Sequence, residues 1–218
     1  MNTFDYIFFD LDGTLTDSAP GIINSVANAL KHFGLCADDK TLRCVVGPPL
    51  MDSFRDVFHF DEAQCAEALK AFREYFSVKG LYENSVYEGI PEMLSALKNE
   101  GKTLVVATSK PEPFARQILS YFGLDGYFAY IAGAAMDESR TKKSEVLSYA
   151  MESVGLSDPS RVLMVGDREH DVLGAKAFGI PTLGVLYGYG SEEELKQAGA
   201  YMLAKSPWEI FEKITKNI

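Results

Sequence analysis

Strand and helix patterns alternate along most of the chain, which predicts an α/β fold: a central parallel sheet with helices on both faces. Three observations carry this expectation. Short apolar runs at Tyr6–Phe9, Thr103–Ala107, Phe128–Ala132, Val162–Val165, Pro181–Leu186 and Tyr201–Leu203 read as strands. Helical runs lie between or after them, and alternation of this kind is what parallel strands joined by crossover helices require. Residues 16–83 carry helical spacing alone, so the chain is expected to divide into a core of residues 1–15 and 84–218 and an all-helical insertion of residues 16–83.

The insertion opens after Thr16. Asp17 and Ser18 offer capping oxygens, Pro20 suits a first helical turn, and Ile22, Val26, Leu30 and Phe33 recur at helical spacing until Gly34. Asp38–Val46 ends at Gly47-Pro48-Pro49, Leu50–Phe58 is short and aromatic, and Glu62–Val78 places Leu69, Phe72 and Phe76 on one side before Gly80. Phe54, Phe58 and Phe60 read equally as core, seam or dimer contact. In the core the helical runs are Pro91–Asn99, Pro113–Phe122, Ser144–Val154, Asp171–Phe178, Glu192–Gln197 and Pro207–Lys216.

Composition narrows the function classes. The 218 residues are 47% hydrophobic and 24% charged, ordinary globular values. A net charge of -10 repels nucleic-acid backbones and anionic membranes, so neither is expected as a partner. No apolar run approaches the ~20 residues of a membrane span, and the opening residues lack the pattern of a secretory signal, so a cytoplasmic protein is expected. Cys36, Cys44 and Cys65 are odd in number and show no CxxC spacing, which favours buried, reduced thiols. His32, His59 and His170 have no ligand spacing for zinc.

The chemistry concentrates at strand ends. Asp10 and Asp12 follow Tyr6–Phe9, Thr108-Ser109-Lys110 follows the strand ending at Ala107, and Gly166-Asp167 with Asp171 follows Val162–Val165. Parallel strands bring their C-terminal ends to one edge of a sheet, where ligands collect in open α/β folds. Two carboxylates forced together at such an edge need a cation to offset their repulsion, so the cluster reads as a metal-assisted site. Arg140-Thr141-Lys142-Lys143, at the start of a helix, supplies positive charge, with Lys142 and Lys143 competing for that place. Lys110 reads as solvent-exposed. Asp171 reads equally as a helix cap or as a site residue.

The Asp10-Leu11-Asp12-Gly13-Thr14 run, Thr108, Lys143 and the Gly166-Asp167 to Asp171 segment, in that order, resemble the four motifs of the haloacid dehalogenase superfamily, and the insertion resembles the helical cap of its phosphoglycolate phosphatase-like branch. The resemblance covers nearly the whole chain and implies a Rossmann-like core. It implies a Mg²⁺-dependent phosphomonoester hydrolase acting on a small cytosolic phosphometabolite, with Asp10 as nucleophile and Asp12 as general acid and base. Asp10, the backbone carbonyl of Asp12 and Asp167 would hold the ion. Thr108 and Lys143 would neutralise the phosphoryl group, with Gly13 and Ser109 beside it, and Asp171 would hold a water or orient Lys143. Spacing within the following helix favours Lys143 over Lys142. Arg43, before Gly47-Pro48-Pro49, resembles the substrate-facing part of related caps, whose job is to exclude water and recognise the rest of the substrate.

A phosphosugar mutase shares these motifs and is the alternative enzyme. A non-catalytic phosphate-binding or interaction module is the alternative outside enzymes, although Asp10, Asp12, Lys143 and Asp167 are all present. Asp12 counts against dehalogenase and phosphonatase chemistry, which has no alkoxide to protonate. The substrate, whether phosphoglycolate, a nucleotide, a sugar phosphate or pyrophosphate, and a monomeric or homodimeric state are both left open.

Overall fold

The computed structural model describes residues 4–137 and 139–216. Strand β1 (Tyr6–Phe9) leads through the two-residue strand β2 (Thr16–Asp17) into helices α1 (Ala19–His32), α2 (Asp39–Arg43), α3 (Leu50–Asp56) and α4 (Glu62–Tyr75). The chain returns through β3 (Ser85–Val86), and then α5 (Ile90–Asn99), β4 (Thr103–Pro111), α6 (Glu112–Tyr121) and β5 (Tyr130–Ala134) follow. The remainder is α7 (Lys143–Ser153), β6 (Val162–Gly166), α8 (Glu169–Lys176), β7 (Thr182–Val185), α9 (Glu192–Ala198), β8 (Met202–Ala204) and α10 (Pro207–Thr215).

Six strands form one parallel sheet in the order β5-β4-β1-β6-β7-β8. From β1 the chain builds outward to β4 and β5 on one side, then from β6 to β8 on the other, so the strand order reverses between β1 and β6. A crevice opens beyond the carboxyl ends of the strands at such a reversal. Phe9 pairs with Val106 of β4 and with Val165 of β6, which sets the residues following these three positions side by side.

Being covered on both faces, β1 and β6 are apolar throughout rather than alternating. Phe8, Val105, Val162 and Met164 pack with Val146, Leu147 and Ala150 of α7 in one fully buried cluster. Burial of each such side chain larger than alanine contributes about 1.5–3 kcal/mol.

The chain folds as two compact units, Asp17–Ser85 and the residues on either side of that segment. The division falls one residue after the expected start and two after the expected end, because the boundary lies within the paired strands β2 and β3. Two-residue strands are too short to show a periodicity. In the helical unit α1 packs on α4, and Phe54 and Phe60 are buried and stacked with ring centroids 6.1 Å apart, while Phe58 is half-buried. Phe72 and Phe76 stack at 5.3 Å. The last turn of the expected Glu62–Val78 helix widens to a π-turn over Phe76–Gly80.

Other differences have local causes. β4 continues through Pro111 across a register shift after Ala107, β5 starts two residues later than expected, and α8 begins at Glu169. Cys65 is buried as expected, but Cys36 and Cys44 are exposed, since each lies in a short connection or helix end of the helical unit rather than in its interior; all three are free thiols. Among the described residues no helix is long and apolar enough to cross a membrane.

Candidate active site

Asp10 continues the β1 ladder by one residue, its N–H donating to Val165 O at 2.9 Å. The chain then turns sharply, with Leu15 N–H and Thr16 N–H both donating to Leu11 O at 2.9 and 3.0 Å. Gly13 has φ of 79° in this turn, the left-handed region where a side chain is strained, and a Cβ there would collide with the Asp167 carboxylate. The turn therefore holds Asp10 at the sheet edge and brings the backbone against Asp167.

Asp10, Asp167 and Asp171 form a compact acidic group, each offering one oxygen within 4.8 Å of the others. Lys143, the first residue of α7, is buried against two of them. Its Nζ donates to Asp10 Oδ1 at 2.8 Å and to Ala107 O at 3.0 Å, and lies 2.7 Å from Asp171 Oδ1. Lys142 is exposed, so of the two adjacent lysines only Lys143 reaches the acidic group. Arg140, in the same basic run, turns elsewhere: it donates to Gly133 O at 2.9 Å and its guanidinium lies 3.7 Å from the centre of the Tyr149 ring. Asp171 unites its two expected readings, since one oxygen faces Lys143 and the other accepts the Arg168 N–H at 3.1 Å at the start of α8.

The electrostatics follow from burial. Withdrawal from water pushes the Asp10 carboxyl up to about 6, Asp171 and Asp12 push the same way, and Lys143 opposes them. Asp167 is raised by burial first and then by Asp171 and Asp10. Burial disfavours the Lys143 charge, yet the Asp10 and Asp171 carboxylates outweigh it and hold the ammonium above its ordinary value.

Thr108, Ser109 and Lys110 lie in the extension of β4. Thr108 is buried, Ser109 exposed, and the Lys110 side chain again turned inward, the alternation of a strand that has not ended at Ala107. The expectation of a solvent-exposed Lys110 is therefore overturned. Its Nζ lies 3.0 and 2.8 Å from the two carboxylate oxygens of Asp12. Arg43 lies in the helical unit, exposed at the end of α2.

Thr14, the last residue of the Asp10 motif, is fully buried and its hydroxyl faces Asp167 Oδ1 at 3.4 Å. Three further residues of the site region are not marked by the sequence motifs. Tyr189 N–H donates to Asp167 Oδ2 at 2.8 Å, and the Tyr187 hydroxyl donates to Thr14 O at 2.9 Å. Between them Gly188 passes so near Gly13 O and the Asp167 side chain that a Cβ would clash with both. The signal that could have found them is the Tyr187-Gly188-Tyr189-Gly190 run directly after a strand, the same position that marks the other three clusters.

The donor set suits a hard divalent cation. Three buried carboxylates gather beside one ammonium, which offsets only one of their three negative charges when all are ionised, and every group offered is an oxygen.

A model of the haloacid dehalogenase-like hydrolase family matches residues 7–185. The chain is 49% identical over 191 residues to a 5'-nucleotidase of Pseudomonas aeruginosa, covering 87% of this chain and 86% of that one. It is 45% identical over 185 residues to the tyrosine-protein kinase PtkA of Mycobacterium tuberculosis, covering 84% of this chain but only 62% of PtkA. The crystal structure of a predicted phosphatase from Clostridium acetobutylicum superimposes with a TM-score of 0.93 at 46% identity, over 98% of this chain and 99% of that one. With the family model spanning most of the chain and relatives of this identity, the protein belongs to the haloacid dehalogenase-like hydrolases, as a phosphatase.

Proposed function

We propose that this phosphatase is a Mg²⁺-dependent phosphomonoesterase of small cytosolic metabolites that works through a phosphoaspartyl intermediate on Asp10. The observation that carries the reading is the acidic group of Asp10, Asp167 and Asp171 at the sheet's switch point, with the Lys143 ammonium on Asp10 and Asp171. Asp10 and Asp167, with the Asp12 backbone carbonyl, would hold Mg²⁺. When bound, the ion would offset negative charge on the phosphoryl oxygens.

In the first displacement an Asp10 carboxylate oxygen forms a bond to phosphorus as the ester P–O bond breaks, and the departing alkoxide takes a proton from Asp12. In the second, water attacks the same phosphorus, gives its proton to Asp12, and the bond to Asp10 breaks to release phosphate. Lys143 and the Thr108 hydroxyl would offset charge on the phosphoryl oxygens, with Ser109 and the Gly13 turn beside them. Asp171 orients Lys143. Arg43 would contact the part of the substrate beyond the phosphate.

The name of the Pseudomonas relative makes nucleoside 5'-monophosphates the first substrate class to examine. The chain spans 62% of PtkA, and protein-tyrosine phosphorylation is not carried over. The setting proposed is a monomer or homodimer with no nucleic-acid or membrane partner.

The test is phosphate release from a panel of AMP, phosphoglycolate, glucose 6-phosphate and p-nitrophenyl phosphate, with Mg²⁺ and with chelator, for the wild type and Asp10→Asn. Turnover should vanish with chelator and return with Mg²⁺, and Asp10→Asn should lose at least about 10⁴-fold. Equal rates for the two proteins would remove the nucleophile, chelator-insensitive turnover would remove the ion, and interconversion of sugar phosphates without phosphate release would favour the mutase.

A further inference from the structure

We propose that Lys110 is a positioning residue that sets the carboxylate of Asp12 for both proton transfers; the inference rests on the acid–base role proposed for Asp12. The Lys110 side chain is 6% exposed and that of Asp12 22%. An ammonium taken out of water to this extent needs a partner, and Asp12 meets it with both oxygens, at 3.0 and 2.8 Å. A contact to one oxygen would leave the carboxylate free to swing; contact to both fixes its plane.

The same residue also reaches Thr108. Its backbone N–H donates to Thr108 Oγ1 at 3.2 Å, so one residue ties the acid at the end of β1 to the hydroxyl on the extension of β4. These strands are direct neighbours in the sheet, which lets a single side chain span them. Lys143 is not placed to do this, because its ammonium is already engaged by Asp10, Asp171 and Ala107 O.

Asp12 must present an oxygen first to the leaving alkoxide and then to water. Misplacing a catalytic group by about 1 Å is enough to cost on the order of 10²-fold in rate. The loss should track the need for an acid. An alkyl phosphate releases a strongly basic alkoxide and depends on the proton, whereas p-nitrophenyl phosphate releases a phenolate that water tolerates.

Lys110→Met, Lys110→Arg and Asp12→Asn, each checked for folding by its melting curve, would be assayed with Mg²⁺ on p-nitrophenyl phosphate and on whichever of AMP, phosphoglycolate and glucose 6-phosphate the wild type turns over fastest. Lys110→Met should lose about 10²-fold in kcat on the alkyl ester and less than about tenfold on p-nitrophenyl phosphate, with KM near that of the wild type and partial recovery in Lys110→Arg. Equal losses on both esters, or a rise in KM alone, would overturn the inference. Selective loss in Asp12→Asn beside unselective loss in Lys110→Met would overturn it while leaving the role of Asp12 standing. If Asp12→Asn is itself unselective, or no alkyl ester is turned over, the acid–base reading fails and this inference falls with it.

Discussion

The two units of the molecule handle charge in opposite ways. In the sheet-containing unit Asp10, Asp167, Asp171, Lys143 and the Lys110 side chain are all withdrawn from water, with Lys143 paired to Asp10 and Asp171, Lys110 to Asp12, and Asp167 held by the Tyr189 N–H. In the helical unit charges stay wet: Arg55, with a side chain 45% exposed, reaches Asp52 and Glu62 at 3.0 Å each, and His32 meets Glu67 at 2.9 Å. Its interior goes instead to Phe54, Phe60, Phe72 and Phe76. Burying charge opposes folding, so a fold retains it where chemistry uses it; exposed pairs contribute little in either direction.

That contrast predicts a large effect from removing the single ammonium within the acidic group. Lys143→Met leaves Asp10 and Asp171 buried with no cation between them. In metal-free protein at neutral pH the loss should be about 3–5 kcal/mol, read from urea unfolding. The loss should shrink in acid, because protonation relieves the same carboxylates. A variant as stable as the wild type at neutral pH would mean that the buried cluster costs the fold nothing, and the distinction between the units would collapse.

A smaller effect should appear on changing pH alone. Carboxyls whose folded-state values are raised favour the fold while protonated. For Asp10 that contribution is complete below the ordinary value of 3.8 and is lost as pH rises through about 6, with Asp167 acting in the same direction. Mg²⁺ binding demands the opposite form, since its ligands must give up their protons. The rise in melting temperature caused by Mg²⁺ should therefore be small at about pH 5 and grow as pH rises through about 6. A Mg²⁺ shift independent of pH across this range would show that these carboxyls are not the ligands.

The same division explains what is legible in the sequence. A sheet buried on both faces writes itself as apolar runs, and the residues after each run are placed by topology, so Asp10, Thr108 and Asp167 can be located from the ends of apolar runs alone. Lys143 requires the additional regularity of its helix. Lys110 is hidden because the apolar run of β4 stops at Ala107 while the strand does not; once the strand continues, Thr108 and Lys110 share a face two residues apart. Gly188 acts through backbone approach, Tyr189 through its backbone N–H and Tyr187 through a hydroxyl donated to a backbone carbonyl, which leaves no charged side chain to notice. In the helical unit the spacing of Leu30, Phe72 and Phe76 locates the interior, but nothing in it fixes the paired strands at its boundary.

The smallest expected effect separates two kinds of polar contact on the helical unit itself. At the start of α4, Asp61 Oδ1 accepts the Gln64 N–H at 2.8 Å, and Gln64 Oε1 accepts the Asp61 N–H at 3.0 Å. This reciprocal cap satisfies backbone donors that no carbonyl of the helix can reach. Asp61→Ala should lower stability by about 1 kcal/mol, seen as a shift in the urea midpoint, with phosphate release unchanged under saturating Mg²⁺ and substrate. Arg55→Ala, which removes two exposed ion pairs and no cap, should leave the midpoint within replicate error, because water and salt screen such pairs while ordering two long side chains opposes them. If Arg55→Ala proved the more damaging of the two, exposed charge in this unit would be holding helices together, and the contrast with the buried cluster would become one of degree rather than of kind.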